Sequence, residues 1–272
     1  MSYDYMMKNG IKRIYEEDRA SQEFYIKNIC SDVRGIKPDV MFSLDSFFVA
    51  NDDYMQNYFS HEVTSSDYDF YTATGECLWS NRLITPIKNL VGEIVGCVGF
   101  DPFRYLEAHE TQDWSMNYYY YTTKKVFNKG NYLFMPEGVY NRALDEGYLI
   151  LTDGFYDCVA FTSQGFLAAA LLGSSLTQTI AAQLRFIDKV ILAVDNDDAG
   201  MILYKKLKKV HPNIVLLMQG VTKDADDLLK SDRFSKEQSE YLEIVRGSIK
   251  NKIPLDVKIR SRKERVKTSF IL

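Results

Sequence analysis

Leu151-Thr152-Asp153-Gly154-Phe155-Tyr156-Asp157 and Val194-Asp195-Asn196-Asp197-Asp198-Ala199-Gly200 share one layout: an apolar run, a short acidic turn, then a helix-like stretch. Short acidic turns at the carboxyl ends of parallel strands are where an α/β sheet places metal and phosphate chemistry. Carboxylates gathered there repel one another unless a divalent cation neutralises them, and hard oxygen donors suit Mg²⁺ or Mn²⁺. Asp195 and Asp197 flank Asn196, so in an extended segment their side chains point the same way. Ala199-Gly200 lets the following helix approach closely, and Gly154 does the same after the first strand. Asp157 falls four residues after Asp153, so both can face one cleft. Helix capping explains either cluster taken alone. A third cluster, Lys223-Asp224-Ala225-Asp226-Asp227, follows the next apolar run and makes three independent caps a poor account.

The surrounding pattern is regular after residue 146. Strands are expected at Tyr148 to Thr152, Phe166 to Leu172, Lys189 to Val194 and Ile214 to Met218. Helices are expected at Tyr156 to Ser163, Thr177 to Arg185 and Asp198 to Val210. Strict alternation of this kind implies parallel β-structure with right-handed crossovers. Upstream, residues 1–40 read as helical with a break at Arg34 to Pro38, and residues 41–79 hold only short elements. Leu83 to Ile87 and Glu93 to Val98 form a hairpin around Asn89 to Gly92. Residues 101–117 are polar and read as a loop. Tyr118 to Gly130 is the densest aromatic and basic stretch. The end of the chain reads as helical to Gly247 and then basic.

Composition narrows the class. The chain has 272 residues and a formal net charge of −4, enough for a substantial core and unlike a polyanion-coating protein. A local basic strip can still act beside an acidic site. No run of eighteen apolar residues is present and the start lacks a signal-peptide pattern, so no membrane association and a cytoplasmic location are expected. Cys30, Cys77, Cys97 and Cys158 have no zinc spacing and read as buried free thiols. His61, His109 and His211 read as surface or loop residues. The 19 tyrosines serve packing first and base stacking second.

The constellation resembles the TOPRIM fold, and its surroundings resemble the bacterial-type DNA primases of the DnaG family. Arg82-Leu83-Ile84-Thr85-Pro86-Ile87 with Gly92 and Ile94-Val95-Gly96 is similar to that family's R-x-x-x-P-I…G-x-V-I-G-F hairpin. Phe127-Asn128-Lys129-Gly130 is similar to its F-x-K-G, and Asp153 to Asp157 to its E-G-Y-x-D. Leu172 to Thr177 looks like L-G-T-x-x-T, Asp195 to Gly200 like D-G-D-x-A-G, and Lys223 to Asp226 like K-D-P-D. The similarity spans residues 20–230.

The resemblance implies an α/β TOPRIM domain, with a mostly parallel sheet flanked by helices, over residues 146–230. An α+β primase-type subdomain (1–145) would precede it and a helical, basic tail (231–272) would follow. It implies DNA-directed synthesis of RNA primers from ribonucleoside triphosphates on single-stranded DNA. Asp153 would stand for the catalytic glutamate. Asp195 and Asp197, with Asp157, Asp224 and Asp226, would organise Mg²⁺ or Mn²⁺. Arg82 and Lys129 would contact template or nucleotide phosphates, and Gly173 and Ser174 would form a turn bordering the site.

The sequence departs from the family at several points. Asp153 is one methylene shorter than glutamate. Phe100 takes the place of an arginine for which Arg104 can substitute spatially. Asn117 and Tyr120 replace a lysine and an asparagine, with Lys124 and Lys125 able to restore charge. No zinc ribbon and no full helicase-docking domain are evident. A replicative helicase or a separate zinc-ribbon protein is therefore an expected partner, as in a phage or mobile-element system. A catalytically weak accessory protein that binds single-stranded DNA and a different TOPRIM nuclease are the alternatives.

Overall fold

The hairpin expected between Leu83 and Val98 forms the centre of the first of two units, Met1–Lys129 and Gly130–Leu272. The computed structural model describes residues 2–59, 70–72, 76–113, 115, 117–122, 127–173, 176–194, 198–218 and 235–250. In the first unit, strands β1 (Phe47–Val49), β2 (Arg82–Lys88), β3 (Ile94–Phe100) and β4 (Tyr119–Tyr121) pair in that order. Every pairing is antiparallel. The hairpin turn is held by Asn89 Oδ1, which accepts from the amides of Val91 and Glu93 at 3.1 and 3.0 Å. Gly92 sits there at φ +81°, a conformation that strains other residues.

Helices α1 (Tyr3–Glu17) and α2 (Arg19–Asn28) lead into a π-helical turn, Ile29–Arg34, that Gly35 ends in the left-handed region. Short helices α3 (Pro38–Ser43) and α4 (Tyr54–Tyr58) flank β1. Met6, Met7, Ile11 and Ile14 of α1 bury the apolar face of one helix against Phe47, Trp79, Ile84 and Cys97. The outer edge of β1 is closed by a side chain. Gln22 accepts from the Phe48 amide at 2.6 Å and donates to the Phe48 carbonyl at 2.9 Å, replacing a neighbouring strand.

Residues 101–117, expected as a loop, contain helix α5 (Pro102–Thr111). Asp101 Oδ1 accepts from the amides of Phe103 and Arg104 at 3.1 and 3.0 Å, and Pro102 takes the first helical position. Pro102, Tyr105 and Ala108, three residues apart, supply the buried stripe. A polar composition hid this helix because three buried positions are enough to dock so short an element.

The second unit holds a five-stranded sheet in the order β5-β7-β6-β8-β9. Its strands are β5 (Leu133–Phe134), β6 (Tyr148–Thr152), β7 (Ala168–Leu171), β8 (Lys189–Val194) and β9 (Ile214–Met218). The last four in the order run parallel, and β5 adds an antiparallel edge. Every residue of β6, β7 and β8 is buried. Both faces are therefore covered, which is why these strands read as continuous apolar runs. The helices are α6 (Val139–Glu146), α7 (Phe155–Ser163), α8 (Gln178–Leu184), α9 (Asp198–Lys208) and α10 (Ser235–Lys250).

All four cysteines are free and buried. His211, read as a surface or loop residue, lies in the loop before β9 but is buried: its Nε2 lies 2.8 Å from the Ile187 carbonyl and its Nδ1 accepts from the Asn213 amide at 3.2 Å. Acceptance at Nδ1 leaves the proton on Nε2, so the ring is a neutral staple in the turn before β9.

Candidate active site

Parallel pairing brings the carboxyl ends of the central strands to one edge. Thr152 of β6 stands opposite Ala193 of β8, and Val194 of β8 opposite Met218 of β9. The chain leaves β6 into Asp153-Gly154 before α7 starts at Phe155, and α9 starts at Asp198, four residues after β8 ends at Val194. Asp195, Asp197, Asp224 and Asp226 lie outside the described residues, as do Ser174, Lys124, Lys125 and His61. Gly200 is buried in the first turn of α9, and Gly173 follows β7 at the same edge.

The turn after β6 is pinned from beneath. Thr152 Oγ1 donates to the Gly154 carbonyl at 2.9 Å and lies 3.3 Å from the Ala169 carbonyl on the adjacent strand. Asp153 projects to solvent, whereas Asp157, on the first turn of α7, is only 9% exposed. A β-carbon built on Gly154 would meet Asp157 Oδ2 at 2.3 Å. The glycine is therefore the space into which the carboxylate folds. Burial pushes the Cys158 thiol up, and burial followed by the Asp157 charge pushes the Tyr241 phenol up. The Tyr241 hydroxyl, buried on α10, has no hydrogen-bond partner among the described residues.

The donor set offered to a cation consists of hard carboxylate oxygens, the chemistry that fits Mg²⁺ or Mn²⁺ rather than a softer metal. Among the described residues no group of three or more possible ligands is assembled. Asp153 and Asp157 are the candidate ligands that the described residues include.

In the first unit, the structure brings Arg82 and Arg104 to one carboxylate. Asp101 Oδ2 lies 3.8 Å from Arg82 Nη2 and 3.7 Å from Arg104 Nε. Arg82 is further held by the carbonyls of Leu78 and Tyr118, at 3.2 and 3.4 Å, and its side chain is 11% exposed. Arg104 is 58% exposed. Both line a cleft of about 630 Å³, together with Asp101, Phe103 and Glu107 of the α5 segment and the Cys77–Asn81 stretch. Phe100, where the resemblance expected an arginine, is buried, with the Arg34 guanidinium 5.3 Å from its ring centre. Lys129 is exposed, its ammonium 4.4 Å from the centre of the Tyr121 ring.

A family of proteins described as Toprim-like matches residues 150–229. The DNA primase of Aquifex aeolicus is 33% identical over 176 residues, which is 61% of this chain and 32% of that protein. The RNA polymerase domain of Mycobacterium tuberculosis primase DnaG superposes with a TM-score of 0.67 at 16% identity, covering 90% of this chain and 84% of that one. A DnaG primase catalytic domain bound to single-stranded DNA superposes with a TM-score of 0.63 at 16% identity, covering 97% and 88%. Over these stretches the chain is similar to bacterial DNA primases, and it shares the fold of their catalytic cores. It spans about a third or less of the length of the curated relatives it matches.

Within this primase-type core, sequence reasoning missed three residues. Asp101 both caps α5 and bridges the two arginines, and the Asp-Pro pair that starts a helix was its available signal. Phe103 is a ring left 62% exposed beside Arg104. Tyr241 had no local signal, because its proximity to Asp157 depends on how α10 packs.

Proposed function

We propose that this primase-type core joins ribonucleotides into short RNA primers on a single-stranded DNA template. The observation that carries the reading is the seat of Asp157: a carboxylate kept at the carboxyl edge of a parallel sheet by a glycine that leaves it room. The Toprim-like match over the same segment supports it. So does the likeness in fold to a primase domain bound to single-stranded DNA.

Asp153, Asp157, Asp195, Asp197, Asp224 and Asp226 would hold Mg²⁺ or Mn²⁺. Such a cation, when bound, favours ionisation of the primer 3′-hydroxyl and offsets charge on the departing pyrophosphate. The chain's own contribution is positional. Gly154 and the Thr152 bonds fix where Asp157 sits, and the exposed Asp153 reaches outward from the same turn. Arg82, clamped by two carbonyls and Asp101, offers a fixed guanidinium, while Arg104 and Lys129 offer solvent-facing cations for phosphates. Lys124 and Lys125 would add to that basic set. Residues 1–145 are assigned template and nucleotide contacts and 146–230 the metal centre. Residues 231–272 are assigned the helical and basic tail. A replicative helicase or a separate zinc-ribbon protein would direct the core to its template.

The test is primer synthesis on single-stranded DNA with ribonucleoside triphosphates. Product is expected with Mg²⁺ or Mn²⁺, is lost on chelation and returns on metal addition. Full activity in Asp195→Ala and Asp197→Ala would refute the proposal.

A further inference from the structure

We infer that the cleft between the Cys77–Arg82 segment and α5 seats one base of a single-stranded DNA template, with Phe103 as the stacking platform. The inference rests on the primase reading above and deepens it by giving Phe103 and Asn81 roles beside Arg82 and Arg104. Single exposed apolar side chains are common and mean little. Phe103 differs because its ring lies 62% exposed at a cleft of about 630 Å³ that also holds two guanidinium groups. That volume is within the range of sites for small organic groups. Phe103 packs on no other ring among the described residues, although the neighbouring Phe100, Tyr105, Tyr118 and Tyr119 each meet other rings of that group in edge-on or tilted contacts. An aromatic face beside a cation is the arrangement with which sequence-tolerant proteins hold single strands.

Asn81 completes the cleft. It holds φ +58°, a strained value for a residue with a side chain, and its amide donates to the Val49 carbonyl at 2.7 Å. Its exposed carboxamide offers one donor and one acceptor to a base edge. Charge separates a template base from a free triphosphate. Arg82 and Arg104 are balanced by Asp101 and Glu107, so the cleft has no surplus of positive charge for a polyphosphate. Asp101 already engages two helix amides and lies near both guanidinium groups. The exposed Arg104 is left to meet the single phosphate beside a stacked base.

The experiment measures binding of a fluorescein-labelled single-stranded oligodeoxythymidine, and separately of ATP, to the full chain and its variants. Phe103→Ala and Phe103→Leu are expected to weaken oligonucleotide binding about 5- to 100-fold, the loss of one base–aromatic stack. Phe103→Tyr is expected to keep it, and ATP binding should not change. Arg104→Gln is expected to lower the salt dependence by about one phosphate contact. Unchanged oligonucleotide affinity in Phe103→Ala overturns the inference, as does an equal loss in Phe103→Tyr or a loss confined to ATP. Should the chain make no primers while Phe103→Ala still weakens the oligonucleotide, the platform stands and the catalytic reading fails. Should primers be made with an unchanged template KM in Phe103→Ala, the platform fails and the catalytic reading stands.

Discussion

The carboxylate of Asp157 fills the space that a side chain on Gly154 would need, 2.3 Å from where a β-carbon would stand. Gly154→Ala forces Asp157 to turn away while leaving the strand and helix around it intact. Primer synthesis should fall roughly 10- to 100-fold, the scale on which a displaced catalytic group acts. The melting temperature should stay within a few degrees, so a parallel collapse of stability and activity would contradict this account.

Asp153 is exposed on the turn after β6, so its substitutions bear on chemistry rather than on folding. Asp153→Asn should reduce primer synthesis by roughly 100-fold, since a positioned charge is lost. Asp153→Glu, which lengthens the reach by one methylene, should retain activity or raise it. Rates measured at saturating template and nucleotide distinguish these outcomes from changes in binding.

Arg82 and Arg104 share Asp101 but differ in burial, and their alanine variants should separate accordingly. Arg82→Ala removes a largely buried guanidinium that reaches Asp101 and the Leu78 and Tyr118 carbonyls, and should cost about 1–3 kcal/mol of stability. Arg104→Ala, at an exposed position, should leave the urea midpoint within error and weaken only DNA binding.

Lys189 reaches from β8 to the end of α10, where its ammonium donates to the carbonyls of Ser248 and Ile249 at 3.0 and 2.7 Å. A cation there also complements the helix dipole. Burial holds this ammonium below the ordinary lysine range, so the group is desolvated to make these bonds. Lys189→Met should lower stability by about 1–3 kcal/mol and raise amide exchange across α10 before the central strands.

Asp4 ties α1 to the hairpin, accepting from the Ile94 amide at 2.7 Å and pairing with Lys8 at 2.9 Å. Burial pushes its carboxyl up, but the amide bond and the Lys8 charge outweigh it, and the net shift is down. A carboxyl held low in the folded state contributes stability that is complete above its unfolded value. That stability is lost as pH falls through the folded value. Urea midpoints of the wild type and Asp4→Asn should differ at neutrality and begin to converge as the pH falls below about 4.

The alternating strands and helices after Tyr148 were legible because each central strand is buried on both faces and so carries an unbroken apolar run. The hairpin from Arg82 to Phe100 was legible for a different reason: its turn residues carry their own geometry. Helix α5 was not, since it buries only Pro102, Tyr105 and Ala108 and its cap works through a short polar side chain. The burial of His211 in its loop was not legible, because an imidazole bonded to two backbone groups leaves no pattern in the chain.

By itself, the sequence determined the order of strands and helices from Tyr148 to Met218, the acidic turn after β6 and the primase-like motifs, because these depend on neighbours within a few positions. Only the tertiary structure decided which of the named residues meet. Asp101 joins Arg82 to Arg104, Phe103 stands open beside them, and Tyr241 approaches Asp157 from a helix more than eighty positions away in the chain. Such meetings follow from strand register and helix docking, which are set by burial summed over the whole core and leave no local trace at the residues they unite.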